Sequence, residues 1–353
     1  DVVNHTPPFH FLNKIHNNWV YSRVKIGVLF CIKNTTFTYL YVMILVTGAT
    51  GLVGSHLLFQ ICQSEKRVRA TKRVKSNTDF VHHVFSYYTD KPDELFKKID
   101  WVEVDLLNIS ELDLAFEGIT KVYHCAAWIS FNPKQKNKMM RTNIESTSNV
   151  VNLCLAHQVK KLCHVSSTAA IAKALNKKVI DERNPWVNDA DNSSYAISKH
   201  LSEMEVWRGS EEGLNTVIVC PAIILGPGKW QKGSYILFKK VWQGMRFYSS
   251  GTNGFVDVRD VTKVMTRLME SDIKSERFII CSESITFKQA FDYIAEGLGK
   301  ENPSIEIGSF LSGVSWRIAK IISLFTGKSP LITKETMLAA NSISVFENSK
   351  IKK

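Results

Sequence analysis

In MILVTGATGLVGSHLL, residues 43–58, three glycines spaced three apart separate a run of aliphatic residues from a segment with helical spacing. The apolar run suits a strand buried on both faces, and apolar residues recurring three and four apart after it suit a helix. Between them, Gly48, Gly51 and Gly54 allow a tight turn, close approach of backbone to a ligand, and close packing of helix on strand. The helix N-terminus adds free N–H groups and the positive end of its dipole, a seat for a pyrophosphate. Gly48, Thr50, Gly51, Leu52, Val53 and Gly54 are therefore the first cofactor-binding candidates. The spacing departs from the usual G-x-G-x-x-G, so the strand–loop–helix context carries the reading more than the glycines do.

The same alternation continues downstream. RVRATKR, DWVEVDLL, KVYHCAAW, KLCHVSS and NTVIVCPAIIL read as short strands. Helices are expected at 111–117, 136–157 and 192–209, with a polar helical insertion over 74–98. This order specifies an α/β fold with a doubly wound parallel sheet covered on both faces. After Leu225 the alternation weakens, and a smaller, mostly helical C-terminal lobe is expected to bind substrate. The expected divisions are a nucleotide-binding domain over 43–225, rejoined by 255–281, and a substrate lobe over 226–254 and 282–353. Residues 1–42 show neither helical nor alternating periodicity, and Met43 heads the first strand. They are expected to be a non-native or disordered extension.

Charge and cysteine content narrow the function classes. The net charge of +12 is spread over short basic runs, which suits solvated lysine-rich faces and not a nucleic-acid interface. Seven scattered cysteines without C-x-x-C or metal-ligand spacing fit a reduced, cytoplasmic protein with no metal site. The apolar run at 26–32 is short and lacks a following cleavage site, so a signal peptide is not expected. FLSGVSWRIAKIISLF, residues 310–325, has the character of a surface-lying membrane helix or of a pocket wall, and the pocket wall is preferred. Nothing distinguishes a monomer from a homodimer.

The end of the second strand bears on the cofactor. A carboxylate there would take the ribose hydroxyls of NAD, but this strand ends in Lys72, Arg73 and Lys75. A guanidinium can grip a 2′-phosphate with paired hydrogen bonds, so Arg73 points to NADP(H), with NAD(H) the lesser alternative.

SSYAISKHLSE places Tyr195 and Lys199 four apart, on one helix face. Such a pair is common by chance in a lysine-rich chain, and its interest is chemical. A free phenol titrates near pH 10, and a neighbouring ammonium favours the phenolate and brings it into working range. A hydroxyl is also needed to hold the reacting oxygen. Ser166, Ser167 and Thr168 end a strand at the carboxyl edge, where ligands bind in such sheets.

Taken together, Gly48-x-x-Gly51-x-x-Gly54, Asp105-Leu106, HCAA at 124–127, TNIESTSNVV, VSSTAA, Tyr195-x-x-x-Lys199, CPAIILGPG and FVDVRDV resemble the extended short-chain dehydrogenase/reductase superfamily. The resemblance runs from Met43 to the end of the chain, and VRATKR is most similar to its dihydroflavonol reductase and 3β-hydroxysteroid dehydrogenase branch. It implies a Rossmann-type fold and an NAD(P)-dependent oxidoreductase acting on a carbonyl or alcohol. In that scheme Tyr195 is the general acid/base, and Lys199 holds the nicotinamide ribose and tunes Tyr195. Thr168 polarises the substrate oxygen, Ser166 and Ser167 being assigned to packing. Asp105 meets the adenine amino group with Leu106 beside the ring, Ala126 and Ala127 lie near the ribose, and Pro221 lies near the nicotinamide. Asn143 matches the asparagine of the helix after HCAA. Cys220 stands where the family usually has arginine, Ser146 where glycine is common, and relatives generally continue beyond FENSKIKK. Trp128, Phe131, Trp230 and Phe247 are the candidate apolar lining. Two other readings use the same residues: a nucleotide-sugar epimerase or dehydratase retaining NAD, and a non-catalytic NADP(H) sensor.

Overall fold

The computed structural model describes residues 44–171, 179–228, 230, 233–307 and 333–353. The extension at 1–42, Met43 and the apolar stretch 310–325 lie outside the described residues. The strands are β1 (Ile44–Thr47), β2 (Val68–Lys72), β3 (Ile99–Glu103), β4 (Lys121–His124), β5 (Lys161–Val165), β6 (Thr216–Pro221), β7 (Ile223–Leu225), β8 (Phe247–Tyr248), β9 (Thr252–Asp257), β10 (Glu276–Ile280), β11 (Glu283–Thr286) and β12 (Ile305–Glu306). The helices are α1 (Leu52–Ser64), α2 (Asp79–Ser86), α3 (Pro92–Phe96), α4 (Ile109–Phe116), α5 (Lys136–Ala156), α6 (Ser194–Glu211), α7 (Tyr235–Trp242), α8 (Val258–Glu270), α9 (Phe287–Leu298), α10 (Lys334–Asn341) and α11 (Ser349–Lys352).

Seven parallel strands form the main sheet in the order β10-β6-β5-β4-β1-β2-β3. Successive side chains of a strand point to opposite faces, and β1 shows the consequence. Ile44 and Val46 join one apolar layer with Leu57, Phe85 and Met265, while Leu45 joins the other with Val150, Leu162 and Ile218. Strand order reverses between β1 and β4, so the loops leaving those two strands diverge and open a crevice at their carboxyl ends.

NTVIVCPAIIL divides between two sheets. β6 stays in the main sheet, and β7 pairs in a second one with order β11-β9-β7. The C-terminal lobe is thus less purely helical than its sequence implies, since it also holds the short β8–β12 pair. Strands of two to six residues are too brief to show a period. β9 leads directly into α8, which packs on α1, and β10 then rejoins the main sheet beside β6. The last residues, placed with the second lobe on sequence grounds, run back along the edge of the main sheet. Phe346 bridges Ile180, and Lys350 pairs with Glu276 at 2.8 Å. Among the described residues, no helix is long and apolar enough to cross a membrane.

Candidate active site

The glycine loop joins β1 to α1 at the switch point. Gly48 has φ +65°, which L side chains rarely adopt, and a Cβ there would lie 2.5 Å from the Ala126 backbone nitrogen. The backbones of Gly48 and Ala126 are therefore in contact across the crevice. A Cβ on Gly54 would run into the Gly48 carbonyl, so α1 starts hard against the turn. The N-cap of α1 is Gly51, and no side chain caps that end. Backbone N–H groups left open beside a side-chain-free cradle fit a dinucleotide pyrophosphate.

Beyond β2 and β3 lies a cleft of about 770 Å³ lined by Arg73, Lys75, Ser76, Asp105, Asn108 and Glu111, among others. Lys72 is tied to Glu103 at 2.6 Å, whereas Arg73 is exposed and has no ion-pair partner among the described residues. Asp105 Oδ1 accepts the Leu107 N–H at 3.1 Å, which shapes the turn that presents its carboxylate and Leu106. These features match the adenine and ribose end of a nucleotide.

Tyr195 and Lys199 sit one turn apart on α6, whose first turn is capped by Ser193 accepting the Ala196 N–H at 3.1 Å. Lys199 is only 2% exposed, and its Nζ donates to the Val165 carbonyl at 2.7 Å, at the carboxyl end of β5. Burial lowers its pKa to about 8, against the opposing pull of Glu203. Burial raises the Tyr195 phenol above its ordinary range, and a hydrogen bond from Ser167 draws it back down. Ser167 is thus one hydroxyl that acts on the phenol. Thr168 is buried in the following 3₁₀ turn, and Ser166 donates to Glu203 Oε2 at 2.7 Å. The sequence reading puts Thr168 in the catalytic position and Ser167 in packing; Ser167 also acts on the Tyr195 phenol, and Thr168 follows it directly.

Asn143, whose role the sequence left open, ties the loop after β4 to α6. Its Oδ1 accepts the Trp128 N–H at 2.7 Å, and its Nδ2 donates to Ser198 Oγ at 3.1 Å. Of the aromatic candidates, Phe131 stands edge-on to Tyr195 at 6.1 Å between centroids. Trp230 packs with Phe238 and Trp242, and Phe247 is 51% exposed on the β8–β12 pair. Pro221 ends β6, beside Ile280 of β10.

Behind Lys199 lie groups that sequence patterns did not reveal. His124 and His164 are fully buried and stacked at 5.2 Å. Burial lowers both pKa values, His124 to about 3, so both rings are neutral. His124 bridges the hydroxyls of Thr47 at 2.7 Å and Thr147 at 3.1 Å, while neither His164 nitrogen has a partner among the described residues. Glu203 is buried opposite Arg277 at 3.0 Å. The spacing Tyr195, Lys199, Glu203, four and four, is the sequence signal that could have found it. No cluster of metal-binding side chains occurs among the described residues.

Residues 44–281 match the model of the NAD dependent epimerase/dehydratase family. The chain is 25% identical to sterol demethylase protein B of Methylococcus capsulatus, over 74% of this chain and 76% of that protein. It is also 25% identical to a putative dihydroflavonol 4-reductase of Synechocystis, over 86% of this chain and 87% of that one, in keeping with the branch that VRATKR resembles. The crystal structure of UDP-glucose 4-epimerase from Thermotoga maritima superposes with a TM-score of 0.68 over 88% of this chain and 91% of that one. At 19% identity that likeness establishes the Rossmann-type fold alone.

Proposed function

The chain belongs to the NAD dependent epimerase/dehydratase family and is an NAD(P)-dependent oxidoreductase, and we propose that it reduces a ketone or aldehyde with NADPH, or oxidises the corresponding alcohol. The observation that carries this reading is the meeting of Tyr195, Lys199 and Ser167 at the end of β5, at the carboxyl edge where the glycine cradle also lies.

Gly48, Thr50, Gly51, Leu52, Val53 and Gly54 would hold the pyrophosphate. Asp105 and Leu106 would take the adenine, Arg73 the 2′-phosphate, Ala126 and Ala127 the adjacent ribose, and Lys199 and Pro221 the nicotinamide end. A bound nicotinamide supplies the hydride that reaches the carbonyl carbon. Tyr195 gives its proton to the carbonyl oxygen, which Ser167, with Thr168 beside it, orients by hydrogen bonding. A phenol whose pKa burial raises holds its proton at neutral pH, as an acid in the reducing direction must. The Lys199 ammonium then stabilises the phenolate until solvent reprotonates it. Phe131 beside Tyr195 favours a substrate with an apolar face next to its carbonyl.

A second reading rests on the acids of the nucleotide cleft. Glu103, Asp105 and Glu111 share it with Arg73, and carboxylates suit an unphosphorylated ribose, as in an epimerase or dehydratase that retains NAD. Fluorescence titration with NADPH and NADH, followed by a carbonyl panel scored by NADPH consumption, separates the two. NADPH is expected to bind more tightly. Losing a charged hydrogen-bond partner costs about 1.5–3 kcal/mol, so Arg73→Glu should weaken NADPH binding about 10- to 100-fold and leave NADH nearly unaffected. Release of NAD on denaturing the purified protein, with no NADPH consumed, would favour the epimerase reading.

A further inference from the structure

Glu203 is fully buried on α6, one turn beyond Lys199 and two beyond Tyr195, so the three side chains share a helix face. A carboxylate out of water needs partners, and those of Glu203 lead back to the site. Arg277 Nη1 donates to Oε1 at 3.0 Å and Trp207 Nε1 does so at 3.1 Å. Ser166 Oγ donates to Oε2 at 2.7 Å, with the Cys220 thiol at 3.8 Å from the same oxygen. Ser166 lies between Val165, whose carbonyl receives Lys199, and Ser167, which faces Tyr195. One carboxylate therefore pins the strand end that bears both contacts.

We propose that Glu203 is a positioning residue that locks the end of β5 onto α6 and keeps the buried Lys199 ammonium charged, with Arg277 setting the strength of that effect. The proposal rests on the reading of Tyr195 and Lys199 as the proton-handling pair.

The groups acting on Lys199 are Glu203 from its own helix, Cys220 from β6, Cys125 just after β4, and His124 and His164 from β4 and β5. Burial holds both thiols protonated and both imidazoles neutral. Among the described residues, Glu203 is therefore the counter-charge to Lys199. Arg277 competes for the same carboxylate from the far side, anchored by the carbonyl oxygens of Glu182 at 2.6 Å and Asn184 at 3.0 Å. Cys220 stands where the superfamily that the sequence resembles usually has arginine, and the guanidinium reaching Glu203 comes from the neighbouring strand β10.

Lysine labelled with ¹³C at Cε reports the titration of Lys199 in the cofactor-free protein, its signal being the one absent from Lys199→Arg. The wild-type midpoint is expected near 8. Glu203→Gln should lower it by about one unit or more, tenfold in proton affinity, and Arg277→Met should raise it. A residue that only supports packing would cost thermal stability in both variants and leave both midpoints in place, which would overturn the proposal. If Glu203→Gln does not fold, Arg277→Met decides alone: an unchanged or lowered midpoint overturns it. Midpoints that move in the two expected directions while no carbonyl consumes NADPH would uphold the role of Glu203 and remove the reductase reading.

Discussion

At the residue scale, Lys199 is a cation held where water hardly reaches, with the Val165 carbonyl as its hydrogen-bond partner. Its pKa is about 8 in the fold against 10.5 for a free lysine side chain. Between those values the unfolded chain binds more protons than the folded one, so stability rises with pH across that window. Below the folded value the full penalty is present, and above the unfolded value it has gone. Lys199→Met removes this dependence. Urea unfolding should show the wild type gaining about 2 kcal/mol on Lys199→Met between pH 7 and pH 10. Parallel pH profiles for the two proteins would show that the ammonium carries no such penalty. Tyr195 and Lys199 were readable because helical spacing alone puts them on one face. The directions taken by the three consecutive hydroxyls were not. They depend on β5 ending at Val165 and on the turn at 168–170, which directs Ser166 to Glu203 and Ser167 to Tyr195.

At the element scale, the β1–loop–α1 unit is the part of the site that the sequence determines most fully. Its strand is buried throughout, its helix carries a long apolar run, and Gly48 and Gly54 answer to geometry that a Cβ would break. Gly48→Ala puts a methyl group in a left-handed conformation and against the Ala126 backbone. The conformational cost alone is about 1–2 kcal/mol, and the clash adds to it. The variant should melt several degrees lower and bind NADPH at least about tenfold more weakly, since relief requires the two sides of the crevice to separate. Calorimetry and cofactor titration check both effects, and wild-type affinity in the variant would mean the loop does not hold the cofactor. The second sheet was less readable for the converse reason. β7, β9 and β11 are brief strands whose pairing is non-local, and β9 is continuous with a strongly amphipathic helix that dominates the local pattern.

At the scale of the whole molecule, the first turn of α6 is held by its own N-cap and by a residue far away in sequence. Its own Ser193 caps one amide, and Glu335 on α10 accepts the Ser194 N–H at 3.2 Å and the Ser194 hydroxyl at 3.0 Å. A carboxylate at a helix N-terminus also meets the positive end of the dipole, so the contact is favourable in charge as well as in hydrogen bonding. No local pattern announces it, because the partners are 141 residues apart in sequence. Ser194 directly precedes Tyr195, so this cap sets how firmly the first turn holds the phenol. Glu335→Ala should cost about 1 kcal/mol of stability, the usual worth of a helix cap. Amide hydrogen exchange should accelerate at Ser194 and Tyr195 more than in the β1–α1 loop, because the cradle lies on other elements. Turnover should therefore fall more than NADPH affinity does. Unchanged exchange at Ser194 in a destabilised variant would show that Glu335 acts elsewhere in the fold and that α6 is positioned from the main sheet alone.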